Sequence, residues 1–133
     1  MVQHKEIMIQ RCIEKSNEAL DVAQESLNNN RLTTALNRTY YAIFYTISAL
    51  AYQHDFVTSK HTKLMGWFNK KFIHEDKIFD KKLITIYSDA FELRQENDYK
   101  HTDTPNPEEV AKLLIQAKDF IETVRTVTNH NIS

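Results

Sequence analysis

Arg94 and His101 are the side chains in this sequence whose types and spacing are best suited to chemistry on a phosphodiester. They stand in Phe91-Glu92-Leu93-Arg94-Gln95-Glu96-Asn97-Asp98-Tyr99-Lys100-His101, at the end of a strongly helical pattern. Seven positions separate them. At about 3.6 residues per turn this is almost two turns, so a continuous helix would send both side chains from one face, roughly 10 Å apart along the axis. The planar fork of an arginine can bind phosphate, and an imidazole can take or give a proton near neutral pH. Each residue also has a plain structural reading. Asp98 lies four positions after Arg94, the spacing of a helical ion pair, and a histidine near a helix end often bonds the last carbonyls.

Other residues of chemical interest are scattered. Arg38, in Asn37-Arg38-Thr39-Tyr40-Tyr41, is a cation inside an apolar run. His61 opens a later helix and reads as a helix-start residue with no special task. The tyrosines and phenylalanines read mostly as core. Lys60, Lys63, Lys70, Lys71, Lys77, Lys81 and Lys82 make residues 60–82 the basic segment, at +4, while residues 83–133 sum to −4. Such a patch can hold a phosphate backbone or simply be a solvated lysine face. No Gly-rich phosphate loop, His-Glu-x-x-His pair or Gly-x-Ser-x-Gly elbow occurs. One Cys and dispersed His residues do not make a zinc site, so no metal and no cofactor is expected.

Five helices are predicted to position these groups. The first spans about Lys5 to Leu27, with Ile9, Cys12, Ile13, Ser16, Leu20, Ala23 and Leu27 at helical spacing. Asn28-Asn29-Asn30 follows as a polar turn that can also cap the next helix. The second helix, about Leu32 to Gln53, is apolar nearly all round at Tyr40-Tyr41-Ala42-Ile43-Phe44-Tyr45, which marks a central helix. Thr58 or Ser59 is placed to cap a third, about Lys60 to Ile73. The fourth begins near Phe79, and its stripe Leu83, Tyr87, Ala90, Arg94 puts the arginine where an apolar residue is expected. Residues 102–107 form a loop, and Asn106, Pro107, Glu108 and Glu109 are a well-formed start for the fifth helix.

The chain has 133 residues, enough for one domain with one core, and we expect a single unit over residues 1–133. One Gly and two Pro leave little material for the tight turns of a β-rich fold. The expected fold is all-α: an antiparallel up-and-down four-helix bundle with an additional short helix. Cys12, alone and on an apolar face, reads as a buried small hydrophobe and excludes an internal disulfide. No apolar run reaches membrane-spanning length and the N-terminus has no signal-like core, so a cytoplasmic location is expected.

Three blocks together resemble one family. They are Ala35-Leu36-Asn37-Arg38-Thr39-Tyr40-Tyr41-Ala42-Ile43-Phe44, then Lys60-His61 leading through Leu64 to Phe68, then Phe91 to Tyr99 followed by Glu108-Glu109-Val110-Ala111. In this order they resemble the HEPN superfamily, in its small stand-alone prokaryotic branch. The resemblance covers nearly the whole chain. It implies an all-α bundle that dimerises and a metal-independent endoribonuclease, in some members the toxin of a toxin–antitoxin pair. It also implies partnership with a minimal nucleotidyltransferase. The family motif is Arg, a polar residue, and a His after four to six intervening positions. Arg94, Gln95 and His101 match it at the longest spacing, and two copies would meet across the dimer cleft. Asp98 and Tyr99 belong to the same block, while Arg38, Tyr41, His61, Lys60 and Lys63 are candidate supporting or binding residues. The His-x-Tyr ending of better-known toxin members is absent, since Thr102-Asp103 follows His101. The competing expectation is a non-catalytic module that binds RNA or a nucleotide, or that partners a nucleotidyltransferase. A purely structural helical protein is the third.

Overall fold

The computed structural model describes the backbone of residues 2–99 and 104–132 and the side chains of residues 4–98 and 104–128. Four long helices, α1 (Val2–Asn28), α2 (Leu32–Gln53), α4 (Lys82–Tyr99) and α5 (Pro107–Ile132), form an all-α antiparallel bundle. A short helix α3 (His61–Phe68) lies between α2 and α4 and runs straight into a π-helical segment, Asn69–Glu75.

α2 is the central element, as its all-round apolar character requires. It packs on α1, α3, α4 and α5. Small residues on the facing surfaces of α1 and α2 (Ala19, Ala23, Ala35, Ala42 and Ala49) are buried and let the two backbones approach. Among the described residues, the hydrogen-bonded polar bridge in that interface is closed on itself. Ser16 Oγ donates to the Ala42 carbonyl at 2.9 Å and lies 2.7 Å from Thr46 Oγ1, which itself donates back to Ala42. Cys12 is buried as expected.

The turns that Gly would usually build are built without it. The turn Asn29–Arg31 closes α1: Asn30 is left-handed at φ 57°, the Arg31 N–H bonds the Ser26 carbonyl at 2.7 Å, and the Asn30 N–H bonds Leu27. Asn tolerates this backbone region better than most residues. The expected role of Asn28–Asn30 as a cap for α2 is thereby corrected: Arg31 holds that position and no side chain caps it. Asp55 repeats the device after α2, at φ 59°, with Phe56 N–H bonded to the Ala51 carbonyl.

Two more helix ends differ from expectation. α3 begins at His61, and Thr58 serves by accepting the Lys60 N–H at 3.1 Å rather than by capping the first turn. The helix expected to run to Ile73 widens to i→i+5 bonding at Asn69, which keeps Phe68, Phe72 and Ile73 all buried. α5 starts as predicted, with Asn106 Oδ1 accepting the N–H groups of Glu108 and Glu109 at 2.8 and 3.2 Å.

Candidate functional site

The site is best built outward from Tyr40. Helical periodicity places this residue on the buried side of α2, where it is 0 % exposed. A buried tyrosine needs a partner for its hydroxyl, and Tyr40 finds one in His61 at the start of α3: Oη lies 2.8 Å from Nδ1. The two rings lie nearly parallel, 5.7 Å apart. The imidazole also stacks on Phe44 at 4.3 Å and meets Tyr41 edge-on at 5.8 Å. A helix-start histidine thus becomes part of an aromatic wall made by α2.

Arg94 of α4 lies against the same wall. Its guanidinium is 4.6 Å from the Tyr40 ring centre, 5.6 Å from Tyr41 and 5.9 Å from Phe91. These cation–π contacts hold an arginine on a stripe that otherwise carries core residues. The side chain is 16 % exposed, and its Nη1 lies 3.7 Å from Asp98 Oδ2, an ion pair too long for a hydrogen bond. Buried Nε has no hydrogen-bond partner among the described residues. The Arg38 guanidinium sits 5.0 Å from the Tyr41 ring and is steadied by two bonds to Asn37 Oδ1. Two guanidinium groups therefore lie near one tyrosine ring.

The electrostatics follow from burial and these cations. Desolvation raises the Tyr40 phenol well above its usual value, opposed by the field of Arg94 and assisted by Tyr41. His61 is lowered by burial first and by Arg94 second, which favours the neutral imidazole.

Of the residues expected at the site, Arg94, Arg38, Tyr41 and His61 are brought together. Gln95 and Asp98 are on the exposed side of α4, and Lys60 and Lys63 are exposed beside His61 on and just before α3. Neither lysine is in an ion pair among the described residues. Lys71 and Lys82, by contrast, are tied to Asp76 and Asp119. Tyr99 ends α4, but its side chain and the whole of His101 lie outside the described residues. Sequence reasoning passed over Tyr40, Phe44 and Phe91 as core. The available signal was the hydroxyl of Tyr40, a polar atom placed where the helical pattern buries it. Among the described residues no group of three or more His, Cys, Asp or Glu is arranged to hold a metal ion, and no helix is long and apolar enough to cross a membrane.

Comparison with known proteins gives the family. The model of the HEPN domain matches residues 9–127. The chain belongs to the HEPN domain family. A Thermotoga maritima protein named as UPF0332 is 33% identical over 123 residues, covering 92% of each chain. Two Methanocaldococcus jannaschii proteins, both named as toxin candidates, are also similar to it. One is 28% identical over 125 residues, covering 93% of this chain and 84% of its own. The other is 30% identical over 117 residues, covering 88% and 86%. Within the family frame, the site just described lies where α2, α3 and α4 of the HEPN bundle meet.

Proposed function

We propose that this HEPN chain is a metal-independent endoribonuclease, the toxin of a toxin–antitoxin pair. The observation that supports it most is Arg94. A guanidinium is held on an aromatic wall, with one buried N–H donor that no described residue accepts. The remaining edge of this fixed cation, 16 % exposed and met only by the long Asp98 pair, suits an anion such as a phosphodiester.

In this reading RNA supplies its own nucleophile. A ribose 2′-oxygen attacks the adjacent phosphorus, losing its proton to a neutral imidazole. The bond to the 5′-oxygen breaks, and that oxygen leaves with a proton from water, the imidazolium later returning its own proton to solvent. Arg94 offsets the charge that builds on the phosphate oxygens. His101, with Gln95 behind Arg94 in the motif, is the proposed proton acceptor. The working form is a cytoplasmic homodimer of chains folded as one unit over residues 1–133, with the two motifs meeting at one cleft. A minimal nucleotidyltransferase is the proposed antitoxin.

The test is cleavage of single-stranded RNA in EDTA. The wild type should give fragments ending in 2′,3′-cyclic phosphate. Arg94→Ala and His101→Ala should each slow cleavage by about 100-fold or more, the scale of one electrostatic or acid–base contribution, without loss of fold. Cleavage retained in both variants refutes the reading.

A second reading is favoured by the same arginine seen from its other side. With only 16 % exposure and Asp98 at 3.7 Å, Arg94 is partly neutralised. This suits a module that binds RNA or a nucleotide without cleaving it. Affinity that falls with salt but brings no turnover would assign it.

A further inference from the structure

We infer that His61 is a second phosphate-binding residue beside Arg94, presented by Tyr40 as a neutral hydrogen-bond donor, through Nε2, to the same RNA phosphodiester. The inference rests on RNA as the ligand of the proposed function, and not on cleavage.

It begins with a proton that must be placed. Tyr40 is 0 % exposed, and among the described residues the hydroxyl has one hydrogen-bond partner, His61 Nδ1 at 2.8 Å. Burial keeps the phenol protonated. Its O–H must be donated, because an unmet buried donor is costly. Nδ1 is the acceptor in reach, so the single proton of a neutral imidazole goes to Nε2. Tyr40 therefore fixes the tautomer, and it fixes it as an outward donor. The ring is also fixed in orientation, stacked on Phe44 at 4.3 Å and edge-on to Tyr41 at 5.8 Å.

The imidazole shares its aromatic wall with Arg94, whose charge is felt at the ring. Both side chains pack on Tyr40 and both touch Tyr41. Nε2 makes no hydrogen bond to a described residue, and Arg94 Nε has no partner among them either. His61 is only half-buried. A neutral N–H next to a guanidinium complements a phosphate without adding a second charge that would repel the first. Lys60 and Lys63, exposed on either side of His61 in sequence, add long-range attraction for the neighbouring phosphates.

Two measurements test this. In the first, binding of a mixed-sequence 2′-O-methyl RNA oligonucleotide, which lacks the attacking hydroxyl, is followed by fluorescence anisotropy. His61→Ala should weaken binding roughly tenfold, the scale of one hydrogen bond to a charged group. His61→Gln, whose side-chain amide reaches the place of Nε2–H, should recover most of it. Unchanged affinity in a folded His61→Ala protein, or no rescue by Gln, overturns the inference.

In the second, ¹⁵N spectra of the wild-type histidines should show His61 protonated at Nε2 and bare at Nδ1. The Nε2 signal should move with the oligonucleotide. Protonation at Nδ1 overturns the inference, and so does a signal that answers inorganic phosphate but not the oligonucleotide. This measurement decides alone if His61→Ala does not fold. A wild type that binds through His61 but never cleaves natural RNA sinks only the ribonuclease. Cleavage that depends on Arg94 and His101 while the affinity ignores His61 sinks only this inference.

Discussion

Arg94 stands at a position where the helical pattern of α4 calls for an apolar residue, and the aromatic surface of α2 is what makes it tolerable there. Its three ring contacts, at 4.6 to 5.9 Å, substitute for the hydration that a cation loses on burial. The same burial reaches His61 and has a consequence for stability. The native pKa of His61 is held below the usual value, about 6.5, by burial and then by Arg94, with Tyr40 and Tyr41 as its other titratable neighbours. The native state then binds fewer protons than the unfolded chain between that lowered value and about 6.5. Stability is therefore full above the unfolded pKa, is lost as pH falls through the window, and levels off below the native value. The melting temperature of the wild type should drop between pH 7 and pH 5, and His61→Gln should drop less. His54, lowered by burial and by Lys71 and Lys5, leaves part of the slope in the variant. Equal slopes in the two proteins would remove His61 from this account.

At the scale of the element, each helix end is a local solution that can be probed alone. Asn106 bonds two of the first free N–H groups of α5. Asn106→Ala should lower unfolding free energy in urea by about 1 kcal/mol, with no change in the urea dependence. Gly66, in contrast, lies inside α3 on an exposed face, and an added Cβ there meets nothing within 4 Å. The chain spends its one glycine where no turn needs it, while Asn30, Asp55 and Lys77 take the left-handed positions. Gly66→Ala should raise stability by about 0.5–1 kcal/mol. A fall in melting temperature would mean that α3 needs the backbone freedom.

Across the molecule, an apolar core joins α3, the π-helical segment, α4 and α5 through Phe68, Phe72, Phe79, Tyr87 and Phe120. Phe120 is 0 % exposed and touches rings from two other elements. Phe120→Ala should cost about 3–5 kcal/mol, a large part of the about 5–15 kcal/mol of a typical domain. Circular dichroism melting should show a much earlier, still cooperative transition. Because α3 is tied into this core by Phe68 and Leu64, the variant should also loosen the placement of His61 against Tyr40. A loss of RNA affinity well below the melting point would be its signature.

The sequence by itself determined that the chain is helical, where most of the helices lie, and which family it belongs to. Those features rest on local causes: the periodicity of Leu83, Tyr87 and Ala90, the cap at Asn106, and the order of the Tyr40-Tyr41, His61 and Arg94 blocks. The expectation of one helix over residues 60–73 missed the widening at Asn69, because that bend answers to how Phe68, Phe72 and Ile73 share a core and not to any local breaker. The pairing of His61 with Tyr40 was equally hidden. The two residues are 21 positions apart, on different helices, and each has an unremarkable local reading. Only the packing of α3 and α4 on one face of α2 places an imidazole, a buried hydroxyl and a guanidinium within reach of each other. Sequence named the arginine, and the tertiary structure decided what stands beside it.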